Sequence, residues 1–361
     1  MIINRTEISI SSKATIGECM AKLNQKGRLP KTLLVLDNAK LIGSVTDGDI
    51  RRSFLSGFSL NSLVSEICKK DPIVAHDGMT DEDMGRLAHA NRIYCLPIVD
   101  KNGNVLKVKV LDQEEIGHKG EHVIAVIMAG GDGTRLGALT EKTPKPMLRV
   151  NGKPILQIII EALRDNGIRK IYINIRYLGE IIKDYFKDGL CFGVEIEYII
   201  EPKPMGTAGS LSLIPEHLLP KSSFLVLNGD VLTTLDFQSF YNFHTVAKYD
   251  FTLCGRPYEV KIPFGYPTIE GDIVTAFREK PTLTYFVNSG IYSISPCLIN
   301  KVPVGKYFNM PDLIRAAIED GARVGMFPLR EEFHEIGRPE SYRAAEEFYR
   351  KYMLQKGKKE G

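Results

Sequence analysis

Residues 128–147 read MAGGDGTRLGALTEKTPKPM, directly after the apolar run VIAVI. Gly130, Gly131 and Gly133 can take positive φ and let the backbone approach a ligand closely, so that successive N–H groups converge on an anion. Arg135 supplies a planar fork that grips phosphate, and Lys145 supplies a compact charge. Pro144 and Pro146 flank that lysine and restrict its direction. A polyphosphate suits such a set. Two common phosphate loops do not fit it. A P-loop needs Gly-Lys-Ser/Thr, where this chain has Gly133-Thr134-Arg135. A dinucleotide fingerprint needs glycine at 136, where Leu136 stands and Gly137 comes one place late.

Four further pieces follow in order. Glu201-Pro202-Lys203-Pro204-Met205-Gly206-Thr207-Ala208 comes after VEIEYII, and Asn228-Gly229-Asp230 ends the apolar run FLVLN. A carboxylate at the end of a buried strand projects into a cleft and suits Mg²⁺, although NGD by itself is also a common tight turn. Glu279-Lys280-Pro281 and Asn288-Ser289-Gly290 offer a carboxylate, a cation and an amide that can read sugar hydroxyls and a sugar phosphate. An isolated Glu-Lys pair is more often an exposed ion pair of little worth, so the order of the pieces carries the inference. FHEIGRP, residues 333–339, brings a second carboxylate, Glu335.

These residues need a frame. From residue 122 onward, VIAVIM, KIYINI, VEIEYII and FLVLN alternate with amphipathic stretches such as PILQIIIEALRDNG and EIIKDYFKDG. Strand-helix alternation of this kind predicts an α/β fold with a doubly wound, mostly parallel sheet, whose ligands sit beyond the carboxyl ends of the strands. EGDIVTAFREKP and YFVNSGIYSI read as strands of a smaller insertion, and PESYRAAEEFYRKYM as a closing helix. The 361 residues are enough for two or three compact units, and a net charge of +3 among 91 charged side chains points to no nucleic-acid or membrane partner. No apolar run approaches the roughly 20 residues that span a bilayer. MIINRTEISI lacks the layout of a secretory signal, and the six cysteines form no CxxC or Cys/His cluster. A reduced, cytoplasmic setting is therefore expected, without zinc.

The stretch from Gly130 to Met147 resembles the sugar-1-phosphate nucleotidyltransferase signature G-G-x-G-T-R-L followed by P-K-P-M. It departs at Ala138, where that family usually carries proline. The resemblance implies a Rossmann-like nucleotidyltransferase domain that joins a nucleoside triphosphate to a hexose 1-phosphate and releases pyrophosphate. It implies that Arg135, Lys145 and Lys280 are catalytic and that Ala129, Gly130, Gly131, Gly133, Thr134, Glu201, Gly206 and Thr207 bind the nucleotide. It also implies that Gly265, Glu279 and Asn288 bind the sugar, with Mg²⁺ on Asp230 and Glu335. Glu335 and Phe333 stand where the family usually has Asp and Trp, and His334 reads as structural. No hexapeptide repeat follows the closing helix, so an acetyltransferase β-helix is not expected.

The first 117 residues contain two similar cycles of about 50 residues, each a helical stretch followed by strands, TLLVLD with KLIGSVT and YCLPIVD with VLKVKVL. They resemble a tandem pair of CBS domains, which in many proteins bind adenine nucleotides and tune the attached enzyme. The first cycle keeps that family's pattern at Gly43, Thr46 and Asp49. The second has Lys109, Asp112 and Glu115 at the matching places, so its site is expected to be lost, an Asp there repelling a phosphate. A purely structural pair remains the other reading. The polar stretch Gln113–Glu121 carries the junction, giving a regulatory pair at 1–117, a linker at 118–121 and the transferase domain at 122–361. Fusions of this arrangement include the glucosamine-1-phosphate guanylyltransferases of legionaminic acid synthesis, which this chain resembles most, and a homo-oligomer is expected.

The base follows from Glu201. Guanine presents two adjacent donors that one carboxylate can accept together, whereas uracil and thymine place their single N–H between two acceptors. GTP is therefore expected over UTP and dTTP, provided Glu201 faces the base and not the ribose. Mannose-1-phosphate guanylyltransferase, a glucose-1-phosphate uridylyl- or thymidylyltransferase, and a non-catalytic nucleotide sensor are the other readings.

Overall fold

The computed structural model describes residues 1–24, 31–91, 93–111 and 123–357, with side chains to 351. Contacts divide the chain into two compact units, Met1–Glu121 and His122–Gly361. Asp112, Glu115 and the linker lie outside the described residues. Among the described residues, no helix is long and apolar enough to cross a membrane.

The second unit is built on a seven-stranded sheet in the order Glu195–Ile200, Lys170–Ile175, Ile124–Met128, Phe224–Asn228, Thr282–Ile294, Phe251–Lys261, Val324–Pro328. The first four strands are parallel, the fifth is antiparallel to both neighbours, and the last two are parallel to each other. Side chains alternate between two cores, as a period of two requires. Ala125, Ile127, Ile171, Ile173, Leu225 and Leu227 face helices Ile155–Asp165, Gly179–Phe186 and Phe237–Val246. Val126, Tyr172, Phe224, Val226 and Tyr292 face helix Met310–Glu319. Burial on both faces explains why these strands read as continuous apolar runs.

The chain runs outward from Ile124–Met128 through two strands and then returns to the other side of that first strand. Such a reversal opens a crevice at the carboxyl ends, between Met128 and Asn228, which are register partners. A separate arm departs from this frame. The outer halves of Phe251–Lys261 and Thr282–Ile294 pair beyond the sheet and carry a two-stranded ribbon, Tyr266–Glu270 with Ile273–Arg278, whose side chains are almost all exposed.

The two cycles of the first unit share one pattern. Ser9–Ser11 pairs in parallel with Thr32–Asp37, which turns back into Lys40–Thr46. Ala75–His76 pairs in parallel with Cys95–Val99, which turns back into Val105–Val110. The opening strand Ile2–Asn4 joins the second cycle's sheet, on Val105–Val110. Ile8, Leu34 and Leu36 of the first cycle share one core with Cys95, Val99, Val105 and Val108 of the second.

Candidate active site

A cavity of about 390 Å³ occupies the crevice, lined by the glycine-rich loop, Lys145, Asn174, Arg176, Glu201, residues 204–207, Asn228 to Asp230, Tyr307, Asn309 and Glu335. Three hydrogen bonds tie the strand ends into one rim: Ala129 N donates to Asn174 O, Glu201 N to Ile175 O, and Gly229 N to Met128 O. A Cβ on Gly229 would lie 2.8 Å from Met128 O, so only glycine allows the NGD turn to press against the first strand.

The loop corrects one expectation. Gly133 has φ +67° and Gly137 φ +57°, but Gly130 and Gly131 do not take positive φ. Gly130 is glycine for space: a Cβ there would sit 3.1 Å from Glu201 Oε2 and 3.2 Å from its Cδ. Gly137, which only spoiled a fingerprint in the sequence, supplies the second left-handed bend, and Thr140 Oγ1 closes the loop on Gly133 O at 2.9 Å. Buried Ala129 and exposed Thr134 and Arg135 also line the cavity.

Lys145 and Asp230 form an ion pair, their side chains 12% and 15% exposed. Asp230 Oδ1 is buried without a hydrogen-bond partner. Glu335 pairs with Val231 across two short strands, and Ile336 N donates to Asp230 O at 2.9 Å, so the two carboxylate residues are neighbours. Gly337 lies beside both Glu335 and Arg135, since a Cβ on it would be 3.5 Å from Glu335 Oε1 and 3.8 Å from an Arg135 nitrogen. An orphaned, buried carboxylate oxygen beside a second carboxylate fits a hard divalent cation, which takes one or two carboxylates and completes its shell with water and phosphate. His334, between these elements, stacks on Phe348 at 4.5 Å between centroids.

Opposite, Glu201 is 7% exposed. Asn174 Nδ2 donates to its Oε1 at 2.5 Å, and Arg176 Nε lies 3.7 Å from its Oε2. Burial raises the Glu201 pKa, opposed by the Asn174 hydrogen bond and then by the Arg176 charge. Arg176 also pairs with Asp132 of the glycine-rich loop. The loop after Glu201 is sewn to a segment a hundred residues away: Ala208 and Gly209 donate to Phe308 O, Phe308 N to Met205 O, and Met310 N to Thr207 Oγ1. Gly206, at φ +76°, packs on that segment, where a Cβ would lie 2.6 Å from Phe308 O.

The arm residues stand apart. Gly265, Glu279, Lys280 and Asn288 do not line the cavity. Gly265 and Glu279 are adjacent, since a Cβ on the glycine would lie 3.1 Å from Glu279 Oε2 and 2.3 Å from the Phe277 ring. Lys280 is exposed and holds φ +44°, a conformation that costs a non-glycine residue of order 1 kcal/mol. Asn288 sits nearer the rim but its amide is engaged, donating to Tyr292 OH at 2.7 Å and accepting from Gly290 N at 3.0 Å. Asn174, Arg176, Tyr307 and Asn309 line the cavity but belong to no motif, and of the four only Asn174 carries a local signal, as the polar residue inside the apolar KIYINI.

In the first unit, Thr46 and Asp49 form a capping box. Thr46 N donates to Asp49 Oδ2 at 2.9 Å, Asp49 N to Thr46 Oγ1 at 3.2 Å, and Arg52 reaches Asp49 Oδ1 at 2.5 Å. These bonds satisfy the first amides of helix Asp47–Leu55. Gly43 is glycine because a Cβ would lie 2.6 Å from Lys69 O and 2.8 Å from Cys68 Sγ. Lys109, the second cycle's counterpart, is 7% exposed and its Nζ donates to Asp81 Oδ1 at 2.6 Å.

Comparison with known proteins agrees with this arrangement. Residues 2–56 match the CBS domain family, and residues 124–352 match the Nucleotidyl transferase family. The chain is 32% identical over 237 residues to a UTP–glucose-1-phosphate uridylyltransferase of Synechocystis, and 31% identical over 227 residues to a mannose-1-phosphate guanylyltransferase of Mycobacterium tuberculosis. Each match covers about 60% of this chain, and the chain spans 61% and 62% of those two relatives. A D-glycero-α-D-manno-heptose 1-phosphate guanylyltransferase of Campylobacter jejuni is 31% identical and matched over 96% of its length. The crystal structure of HddC from Yersinia pseudotuberculosis superposes with a TM-score of 0.50 at 30% identity, covering 63% of this chain and 99% of that one. The family match spans well over half of the residues, and the chain belongs to the nucleotidyl transferase family.

Proposed function

We propose that the chain is a sugar-1-phosphate nucleotidyltransferase that makes a nucleoside diphosphate sugar and pyrophosphate, with GTP and glucosamine 1-phosphate as its substrates, the pairing used in legionaminic acid synthesis. One observation carries the reading: a single crevice holds an anion-binding loop, the Lys145–Asp230 pair with an orphaned carboxylate oxygen, and Glu335 beside it. The backbone of residues 129–134 cradles the triphosphate, while Arg135 and Lys145 hold the β and γ phosphates and stabilise the departing pyrophosphate. The sugar phosphate oxygen attacks the α phosphorus in line. A new P–O bond forms, and the bond between the α phosphorus and the bridging oxygen breaks, its electron pair leaving with pyrophosphate. No general base is needed, because the phosphate nucleophile is already ionised, so positioning and charge neutralisation supply the rate.

Asp230 and Glu335 would hold Mg²⁺, which when bound neutralises phosphate charge. Once substrate arrives, Lys145 exchanges its Asp230 contact for phosphate oxygens. On the arm, Glu279 reads sugar hydroxyls and Lys280 neutralises the sugar phosphate. Neither lines the crevice, so the arm must close over the nucleotide for them to act. Glu201, buried at the rim beside Gly130, favours guanine. The similarity to a uridylyltransferase supports the competing base. A pyrophosphate-release matrix of GTP, UTP, dTTP, ATP and CTP against several hexose 1-phosphates decides it: the highest kcat/KM is expected with GTP, and no release with any pair overturns the enzyme reading. The first unit is proposed as a regulatory module taking one adenine nucleotide at Gly43, Thr46 and Asp49. Calorimetry with AMP and ATP on the wild type and Asp49→Ala should show one site lost in the variant, and absence of binding to the wild type leaves a structural module.

A further inference from the structure

Arg176 joins two parts of the crevice that no sequence motif connects. It follows the strand Lys170–Ile175 directly, pairs through one terminal nitrogen with Asp132 of the glycine-rich loop, and places Nε 3.7 Å from Glu201 Oε2. That Nε is buried without a hydrogen-bond partner, in a side chain only 20% exposed that lines the cavity. A buried unmet donor carries a desolvation cost unless a ligand meets it. Glu201 Oε1 accepts from Asn174, the Met205 N–H and the Ser210 hydroxyl also donate to the carboxylate, and Oε2 lies beside Arg176 in the wall of the cavity.

We propose that Arg176 is a specificity-determining residue, presenting its Nε–H beside the Glu201 carboxylate so that the pair reads the O6, N1–H and 2-amino edge of guanine. This rests on the guanylyltransferase reading above and assigns the half of the edge that Glu201 cannot read. Guanine offers an acceptor followed by two donors. Uracil offers acceptor, donor, acceptor, and its last oxygen would face a carboxylate. Adenine offers a donor to Arg176 and an acceptor to Glu201, wrong at both places. Asp132 fixes the far end of the guanidinium, so the donor is oriented before the base arrives, which lowers the ordering cost of recognition.

The test compares GTP with two analogues. Inosine triphosphate lacks only the 2-amino group, and 6-thioguanosine triphosphate keeps both donors but weakens the acceptor. The wild type should prefer GTP to each by kcat/KM. In Arg176→Met the preference over the thio analogue should collapse towards one while the preference over inosine triphosphate survives, and Glu201→Gln should show the reverse. Each lost charge-assisted contact should cost roughly tenfold or more in kcat/KM. Arg176→Lys, which keeps a charge against Asp132 but lacks the guanidinium fork, should lose part of the thio discrimination, and that partial loss carries the test if the methionine variant does not fold. A uniform fall for all three nucleotides in the Arg176 variants, or thio discrimination that stays at its wild-type value in them, overturns the assignment while leaving a GTP-preferring enzyme. Wild-type kcat/KM for UTP equal to that for GTP overturns the base reading itself, and this assignment with it.

Discussion

The crevice and the arm of the second unit are prepared to different degrees. Around the crevice the polar side chains already hold one another: Asn174 with Glu201 and Arg176 with Asp132. On the arm, Glu279 and Lys280 stand exposed on a two-stranded extension. The difference teaches a division of labour. Interactions fixed before binding cost no reorganisation during the reaction, and they are best placed where charge builds in the transition state. Residues exposed on an extension are suited to selecting and enclosing a second substrate. The nucleotide side should therefore be ready in the absence of sugar, and the sugar side should form when the second substrate closes it.

Substituting the crevice should have the largest effect. Asp230→Asn, nearly isosteric, should retain the fold yet lose at least about a hundredfold in turnover, and chelation of divalent metal should bring wild-type pyrophosphate release down to a similar level. A wild-type rate for the variant at saturating substrate would break the comparison at its strong end. Lys280→Ala should raise KM for the sugar phosphate roughly tenfold and leave KM for GTP unchanged, as loss of a single charged contact would. If GTP binding weakens equally, the arm is not the separate half described here.

Acid should distinguish the two regions by stability. Burial pulls His244, under the sheet, down to about 4 from an ordinary value of 6.5, while Asp250 pushes weakly the other way. Its rings bond Thr252 Oγ1 at 2.8 Å and Ser223 Oγ at 3.0 Å. The unfolded chain takes up the proton first, so this contribution is full above pH about 6.5 and is lost as pH falls towards 4. The arm, residues 256–287, has no histidine. Thermal melts should drop by several degrees across that window, and His244→Gln should flatten the slope. A slope that is unchanged in the variant would assign the acid sensitivity elsewhere.

The smallest effect concerns a motif. Thr46-x-x-Asp49-x-x-Arg52 opens helix Asp47–Leu55, and Thr80-x-x-Asp83-x-x-Arg86 makes the same side-chain contacts at helix Asp81–Ala90, while at Met310–Glu319 Asp312 accepts from the Asn309 backbone and from Arg315. Thr46→Ala and Thr80→Ala should each cost about 1 kcal/mol of stability, measured by denaturant melts. A Thr46 effect limited to adenine nucleotide affinity would instead mark a residue kept for its ligand.

That repetition also explains what could be read in advance. The parallel strands were legible because burial on both faces writes an unbroken apolar run, and Lys145 and Asp230 were legible because each ends or follows such a run inside a dense local pattern. Thr46 and Asp49 were legible as a pattern, but the same letters are demanded by the amides of any helix start. Arg176 and Asn309 had no pattern to betray them, since their neighbours in the crevice come from strands and loops up to a hundred residues away. The requirement at Gly130 was invisible for the same reason: it depends on where Glu201 lies, not on its own φ.

The opening strand Ile2–Asn4, paired with Val105–Val110, has a consequence for synthesis. As the chain leaves the ribosome, its first residues must wait for about a hundred more before their backbone partners exist, and until then both cycles lack part of a shared core. Neither cycle can be completed as an independent folding unit during translation. The sheet of the second cycle and the core that both cycles share close only through this non-local pairing, and before it the edge of Val105–Val110 is open to other strands.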